Sequence, residues 1–187
     1  MPDLMPWETL KRTLILDRSP WMRVFEDDVR LPNGRIVEGY LHLDAPGYVM
    51  IVPVSSDAQI GLVRSYKRGV DGLDIQPPAG MLDQGENPLK AAKRELQEEL
   101  GCLAETWYEL GDVVLSGNYF AGYAHFFLAT GCRQIAEPDS GDLEEQEVIW
   151  LPFEAARRTW SDGGFRQVGA VAALGLAFRQ IEKLGLK

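Results

Sequence analysis

Three glutamates, Glu95, Glu98 and Glu99, stand together behind an arginine in the run Arg94-Glu95-Leu96-Gln97-Glu98-Glu99-Leu100. On a helix, Glu95 and Glu99 lie one above the other on the same face, with Glu98 beside them. Carboxylates held that close repel one another and cost helix stability unless a cation neutralises them. Hard oxygen donors of this kind suit Mg²⁺ or Mn²⁺, which keep some of their water for exchange or attack. Such a cluster supports metal-assisted hydrolysis. Arg94 and Glu98 are also spaced i,i+4, so the arginine can hold a carboxylate in place. A charge run on a helix is more often only a solvated face. Two neighbours argue otherwise. Leu96 and Leu100 give the segment a buried side, and the preceding Pro77-Pro78-Ala79-Gly80 is stiff and small, so its backbone can approach a ligand.

The elements that must position these groups are readable in part. A helix is predicted over 88–100, with Asn87 as N-cap, Pro88 at the first helical position and Gly101 as left-handed C-cap. Upstream, residues 10–17, 21–30 and 35–43 alternate apolar and polar as half-buried strands do, and Leu31-Pro32-Asn33-Gly34 reads as a hairpin turn. More apolar strands follow over 48–54 and 58–66, then at 107–115, 120–130 and 146–151. A final helix over 165–184 is expected to place Val168, Val171, Leu174, Phe178 and Ile181 on one buried stripe. Residues 131–144 form a long acidic loop, a type of segment that is often functional. The outer N-terminal strands look exposed enough to pair with a second subunit.

Bulk properties narrow the class. The chain has 187 residues, 45% of them apolar and 25% charged, which fits a globular protein with a real core. Its net charge of −9 argues against a nucleic-acid partner, because phosphate neutralisation supplies most non-specific affinity there. An acidic protein can still act on phosphates when a divalent cation reverses the local sign. No apolar run suggests a membrane span, and residues 1–12 lack the pattern of a secretory signal. Cys102 and Cys132 match no metal-ligand spacing and are too few for a disulfide framework, which points to a reduced, cytoplasmic setting.

Residues 80–102 closely resemble the signature of the Nudix hydrolases. That signature is a glycine, five residues, a glutamate, seven residues, then Arg-Glu-apolar-x-Glu-Glu-x-Gly-apolar. Gly80, Glu86, Arg94, Glu95, Glu98, Glu99 and Gly101 fill its glycine and charged positions, and Cys102 stands where an aliphatic residue is usual. Over roughly residues 20–185 the order of elements resembles the ADP-ribose pyrophosphatase branch. The resemblance implies an α/β (α+β) fold, an α/β/α sandwich on a mixed sheet. It also implies an N-terminal antiparallel section, 1–45, which dimerises, ahead of a catalytic domain, 46–187. A homodimer with exchanged N-terminal sections is the usual assembly.

The same resemblance implies Mg²⁺, with Mn²⁺ as a substitute, held by Glu95, Glu98, Glu99 and the Ala79 carbonyl. Glu86 and Arg94 would steady those ligands from behind. A loop glutamate commonly positions or deprotonates the attacking water, and Glu144 is the first choice here with Glu145 the second. The implied reaction is hydrolysis of the pyrophosphate bond of a nucleoside diphosphate derivative. ADP-ribose is favoured, giving AMP and ribose 5-phosphate. GDP-mannose or another nucleotide sugar is the alternative, and a non-catalytic nucleotide-binding module is a third reading. Departures from the branch bear on substrate: Lys67 replaces an arginine that reaches phosphate, and Gln76 replaces a glutamate. For substrate contacts we nominate Lys67, Gly80, Arg30 and Trp21, with Tyr119 as a further stacking candidate. Trp7, Trp107, Trp150 and Trp160 read as packing residues, and His42 and His125 as structural.

Overall fold

The computed structural model describes residues 4–141 and 145–186. The backbone gathers into two compact units, one comprising residues up to Gly47 with Val113–Tyr123, the other Tyr48–Asp112 with Ala124 onward.

The first unit is an antiparallel meander of β1 (Glu8–Arg18), β2 (Met22–Arg30) and β3 (Ile36–Asp44). Register runs from Glu8 opposite Arg30 to Arg18 opposite Met22, then from Arg30 opposite Ile36 to Arg23 opposite Asp44. The turn at Leu31–Gly34 is closed by the Gly34 N–H donating to the Leu31 carbonyl at 2.9 Å, with Gly34 at φ +83°, as its sequence predicts. Asp27 is buried and takes a two-pronged contact from Arg12, at 2.8 and 2.6 Å. That guanidinium holds the Asp27 carboxyl below its usual range. Leu10, Leu14, Ile15, Ile36 and Leu41 remain exposed on the strands of this unit. His42 stacks on Phe120, which agrees with a structural role.

The second unit is built on a mixed sheet. Its strands are β4 (Tyr48–Ser55), β5 (Gln59–Lys67), β6 (Gly72–Gln76), β7 (Ala79–Met81), β8 (Cys102–Leu103) and β11 (Gln146–Pro152), with β9 (Thr106–Ser116) as far as Asp112 and β10 (Phe120–Gln134) from Ala124, the remainder of these two strands belonging to the first unit. The central order is β10-β4-β5-β11, with β6 on β5, β7 on β4, and β8 and β9 on β10. β4 runs parallel to β10, whereas β5 is antiparallel to β4 and β11 antiparallel to β5. Residues 49–54 of β4 are buried without interruption, the pattern of a strand covered on both faces. Val49 and Ile51 pack with Ala91, Leu96 and Leu100 of the helix α1 (Pro88–Leu100). The alternate residues Tyr48 and Met50 meet Gly169 of α3 (Val168–Leu184), so the two helices flank the sheet. α2 (Phe153–Ser161) follows β11. No helix among the described residues is long and apolar enough to cross a membrane.

Several elements depart from the sequence expectation. The final helix begins at Val168, and its inward face is made of Gly169, Ala170, Ala173, Leu174, Ala177, Phe178 and Ile181. Val168 is 77% exposed and Val171 is exposed too, against the predicted stripe. Small residues own that face because the helix presses on the sheet: a Cβ at Gly169 would overlap the Tyr48 hydroxyl. Helix α2 went unrecognised because Pro152, at its N-cap, offers no side-chain cap. β10 continues through Gly131 to Gln134, past a register shift between Thr130 and Cys132. The glycine, at φ +66°, marks a bulge there rather than the strand's end. β6, β7 and β8 are short and lack an alternating apolar pattern. Trp107 and Trp160 pack edge-on against Phe127 and Phe178, as assigned, while Trp7 is largely exposed and touches Tyr40 edge-on. Cys102 and Cys132 are free and buried.

Candidate active site

Helix α1 starts and stops where its sequence dictates. Asn87 Oδ1 accepts from the Lys90 N–H at 3.2 Å, and the Gly101 N–H donates to the Gln97 carbonyl at 2.9 Å from a left-handed conformation, φ +63°. Fixing both ends fixes which side chains face inward. Glu95 is 8% exposed and Glu99 4%, unusual burial for carboxylates. Both face the short strand β7. Glu99 Oε2 accepts the Ala79 N–H at 2.9 Å, which draws that carboxylate to the Pro-Ala-Gly turn. Next to it, a Cβ at Gly80 would overlap the Glu95 carboxylate. Glycine therefore permits the close approach of strand and helix at that point.

Arg94 knits the remaining acids together. Its Nη1 reaches Glu95 Oε1 at 2.6 Å and Glu98 Oε2 at 3.0 Å. Its Nη2 and Nε reach the two oxygens of Glu86 at 3.1 and 3.3 Å, and Nη2 also meets the Met81 carbonyl at 3.3 Å. The hydrogen bond to Glu86, followed by Glu95 and Glu98, raises the Arg94 pKa against the opposing cost of burial. Reciprocally, Arg94 holds the Glu86 carboxyl below its ordinary value, helped by the Asp83 N–H at 3.2 Å.

This depression fixes the sign of a pH effect. A carboxyl whose folded-state pKa is lowered adds stability above its unfolded pKa and loses it as pH falls through the folded value. We expect the urea midpoint of the protein to fall between pH 5 and acid, with a shallower decline in Glu86→Gln. Parallel pH profiles for the two proteins would show that Glu86 contributes nothing to this stability.

Glu86, Glu95 and Glu98 share the Arg94 guanidinium, and Glu99 lies against the Ala79 backbone, so four carboxylates gather about this end of the strand-helix contact. That hard-oxygen donor set fits a divalent cation. Among the described residues no three acidic, histidine or cysteine side chains already converge as metal ligands. Arg94 draws Glu95 and Glu98 toward itself instead.

Lys67, Ala79 and Gly80 line a cleft of about 600 Å³ together with Gln76, Arg68 and Arg166. The sequence reading nominated Lys67 but passed over Arg166, which lies in an unremarkable stretch before α3. Its signal is structural: Arg166 Nε is 3.4 Å from Oδ1 of Asp74, a buried carboxylate, and Gln167 Nε2 is 3.2 Å from Oδ2. A second cleft, about 660 Å³, adjoins Glu99 and is walled by Glu137, Asp139 and Gln146. The Asp139 N–H donates to the Glu98 carbonyl at 2.8 Å, tying this loop to α1. Glu145 is exposed just before β11, and Glu144 lies outside the described residues. Trp21 and Arg30 belong to the first unit, where Trp21 is 65% exposed at the β1–β2 turn and Arg30 pairs with Glu8 at 2.6 Å. Tyr119, in the same unit, lies against Tyr40. His125 Nδ1 is 2.8 Å from Asp112 Oδ1, a structural contact.

The profile of the NUDIX domain matches residues 45–168. The chain belongs to the NUDIX domain family. A second profile, the nucleoside diphosphate sugar hydrolase N-terminal domain, matches residues 7–40. The NUDIX match contains Lys67, Ala79, Gly80, Glu86 and the whole of α1, while Trp21 and Arg30 fall within the N-terminal match. Over 135 residues the chain is 36% identical to an ADP-ribose pyrophosphatase of Mycobacterium tuberculosis (strain ATCC 25618 / H37Rv). That match covers 71% of this chain and 65% of the relative, so just under two thirds of the relative's length is spanned. It is 32% identical over 130 residues to the ADP compounds hydrolase NudE of Escherichia coli (strain K12), covering 67% of each. A crystal structure of an ADP compounds hydrolase superposes with a TM-score of 0.85 over 99% of both chains at 24% identity, which shows the shared NUDIX fold.

Proposed function

We propose that this NUDIX protein is a divalent-cation-dependent hydrolase that splits the pyrophosphate bond of a nucleoside diphosphate derivative, with ADP-ribose favoured and AMP and ribose 5-phosphate as products. The observation that carries the reading is the burial of Glu95 and Glu99 against Ala79-Gly80, with Glu98 alongside. Burying carboxylates is costly unless something repays it, and a cation facing a diphosphate does so. The names of the mycobacterial and E. coli relatives support the substrate class.

Glu95, Glu98, Glu99 and the Ala79 carbonyl would hold Mg²⁺, or Mn²⁺ in its place. When bound, that cation neutralises phosphate charge and acidifies water. The protein's own groups do the positioning. Arg94 and Glu86 keep the ligating carboxylates in place until they are needed. A carboxylate of the β10–β11 loop, Glu144 or Glu145, takes a proton from water as its oxygen bonds to phosphorus. The bridging P–O bond breaks, and the leaving phosphate departs with the electron pair. Lys67, near Gly80, supplies a positive charge to the phosphates. Arg30 and Trp21 are assigned to the nucleotide.

The exposed apolar side chains of β1–β3 support a homodimer formed through that unit. Sedimentation at twice the monomer mass is expected, and a monomer at micromolar concentration would overturn this. Two free, buried thiols suit a cytoplasmic setting.

A second substrate reading, a nucleotide sugar such as GDP-mannose, is favoured by the N-terminal match to nucleoside diphosphate sugar hydrolases. The deciding experiment is chromatography of products from ADP-ribose, GDP-mannose and NADH, each with Mg²⁺ and with EDTA. Metal-dependent AMP and ribose 5-phosphate from ADP-ribose is the expected result. Faster cleavage of GDP-mannose would move the substrate and keep the chemistry. Tight nucleotide binding with no product under Mg²⁺ or Mn²⁺ would make the protein a binding module.

A further inference from the structure

The C-terminal end of α1 offers carbonyls to another segment, and the segment that takes them is the start of the β10–β11 loop. The Asp139 N–H donates to the Glu98 carbonyl at 2.8 Å, and the Ile135 and Ala136 N–H groups both donate to the Gly101 carbonyl, at 2.8 and 3.2 Å. A carbonyl in the last turn of a helix has no partner inside it, so the loop completes this end. The chain leaving α1 adds to the join: Cys102 and Leu103 of β8 pair with Gln134 and Arg133 of β10.

The join is close-packed as well as bonded. Gly101 sits at φ +63°, and a Cβ there would lie 2.0 Å from the Ala136 carbonyl oxygen and 2.9 Å from its carbon. At Gly80 the overlapping group is the tip of a flexible side chain, whereas here it is backbone, which cannot swing aside. The same Ala136 oxygen accepts from Gln134 Nε2 at 3.0 Å. One side chain therefore aims the carbonyl that the missing side chain admits.

This join borders the cleft of about 660 Å³ beside Glu99. Glu99 and Leu100 line it from the helix, and Glu137, Pro138 and Asp139 line it from the loop. The helix side is fixed, because Leu96 and Leu100 are buried in the core and Leu100 packs on Gly61. The loop side is not, since residues 135–139 are exposed. Whatever fastens the loop to α1 therefore sets the width of the cleft. Pinning residues 135, 136 and 139 also leaves fewer residues to order before β11, which lowers the entropy cost of holding one loop conformation.

We propose that Gly101 and Gln134 are positioning residues, which dock the start of the β10–β11 loop on the end of α1 so that the loop's carboxylates and Glu99 keep a fixed separation across this cleft. The proposal rests on the hydrolase reading above, in which that loop supplies the carboxylate that takes a proton from water. Each residue acts through the loop backbone rather than on the substrate.

Two variants and two measurements test it. Gly101→Asn keeps the left-handed cap, because asparagine tolerates positive φ, but its Cβ forces the Ala136 oxygen to retreat. With ADP-ribose and Mg²⁺, kcat should fall about tenfold, as for a displaced catalytic group, with KM and the Mg²⁺ concentration for half-maximal rate within about twofold. Gln134→Ala deletes one bond from an exposed side chain, so it folds even if the asparagine variant does not. It should lower kcat about threefold in the same pattern. Hydrogen exchange of the Asp139 amide should quicken by about the same factors while the Leu96 amide exchanges as in the wild type, a local opening that a general loss of stability would not confine to the loop. Wild-type kcat in both variants, a loss carried by KM or by the Mg²⁺ requirement, or unchanged exchange at Asp139 would overturn the proposal. Failure of the wild type to hydrolyse any diphosphate would instead count against the hydrolase reading, and the exchange measurement, which needs no turnover, would still decide whether Gly101 and Gln134 hold the loop.

Discussion

Glu99→Gln is expected to lower kcat on ADP-ribose more than about a hundredfold, roughly 2.7 kcal/mol of transition-state stabilisation, while the protein melts as the wild type does. The split follows from two different jobs of one side chain. Structurally, Glu99 accepts the Ala79 N–H at 2.9 Å, and the amide oxygen of glutamine can take over that bond. Chemically, on the reading proposed above, it would offer a buried anionic oxygen to a cation, which a neutral amide does not replace. Rates of the variant and the wild type compared at saturating Mg²⁺, beside their melting curves, check both halves. Near-normal turnover would remove Glu99 from the catalytic set, and a collapsed melting temperature would mean that its role is architectural.

Gly80→Ala is the second large effect, and it too should be confined to activity. The added methyl would overlap the Glu95 carboxylate, the far end of a flexible side chain. Glu95 can swing away at little cost in packing, so the fold should survive. What does not survive is the contact between Glu95 and Arg94 at 2.6 Å and the alignment of Glu95 with Glu99. We expect a fall in kcat/KM of one to two orders of magnitude, on the scale of a misplaced catalytic group, and a higher Mg²⁺ concentration for half-maximal rate. Wild-type kinetics in Gly80→Ala would show that the strand-to-helix approach does not matter to the chemistry.

Helix α1 was legible because its signals are local. Asn87, Pro88 and Gly101 mark its ends, and the i,i+4 spacing of Glu95 and Glu99 assigns them one face without reference to anything distant. The N-terminal hairpin was legible for the same reason, through Asn33-Gly34 and the alternation on either side. Arg166 and Asp74 are 92 residues apart, and nothing local in either segment announces their contact. Only the pairing of β6 with β5 and the docking of α3 bring them together. The rotation of α3 was misread for a related reason. Branched residues such as Val168 attract a core assignment by hydrophobicity, yet the closeness of α3 to β4 selects the smallest face, with Gly169 at the tightest point. Sequence shows which residues are apolar, and the available space decides which of them are admitted.

Arg94 has a further consequence. It contacts Glu86, Glu95 and Glu98 within one network, so the acidic cluster carries its own counter-ion from the moment the helix docks. Many small metal-binding domains cannot assemble until their ion arrives, and for them a shortage of metal is a shortage of folded protein. With part of its repulsion offset internally by Arg94, this chain is expected to fold before any ion binds, even where free magnesium is scarce. On the hydrolase reading proposed above, metal supply would set the rate and leave the amount of folded protein unchanged.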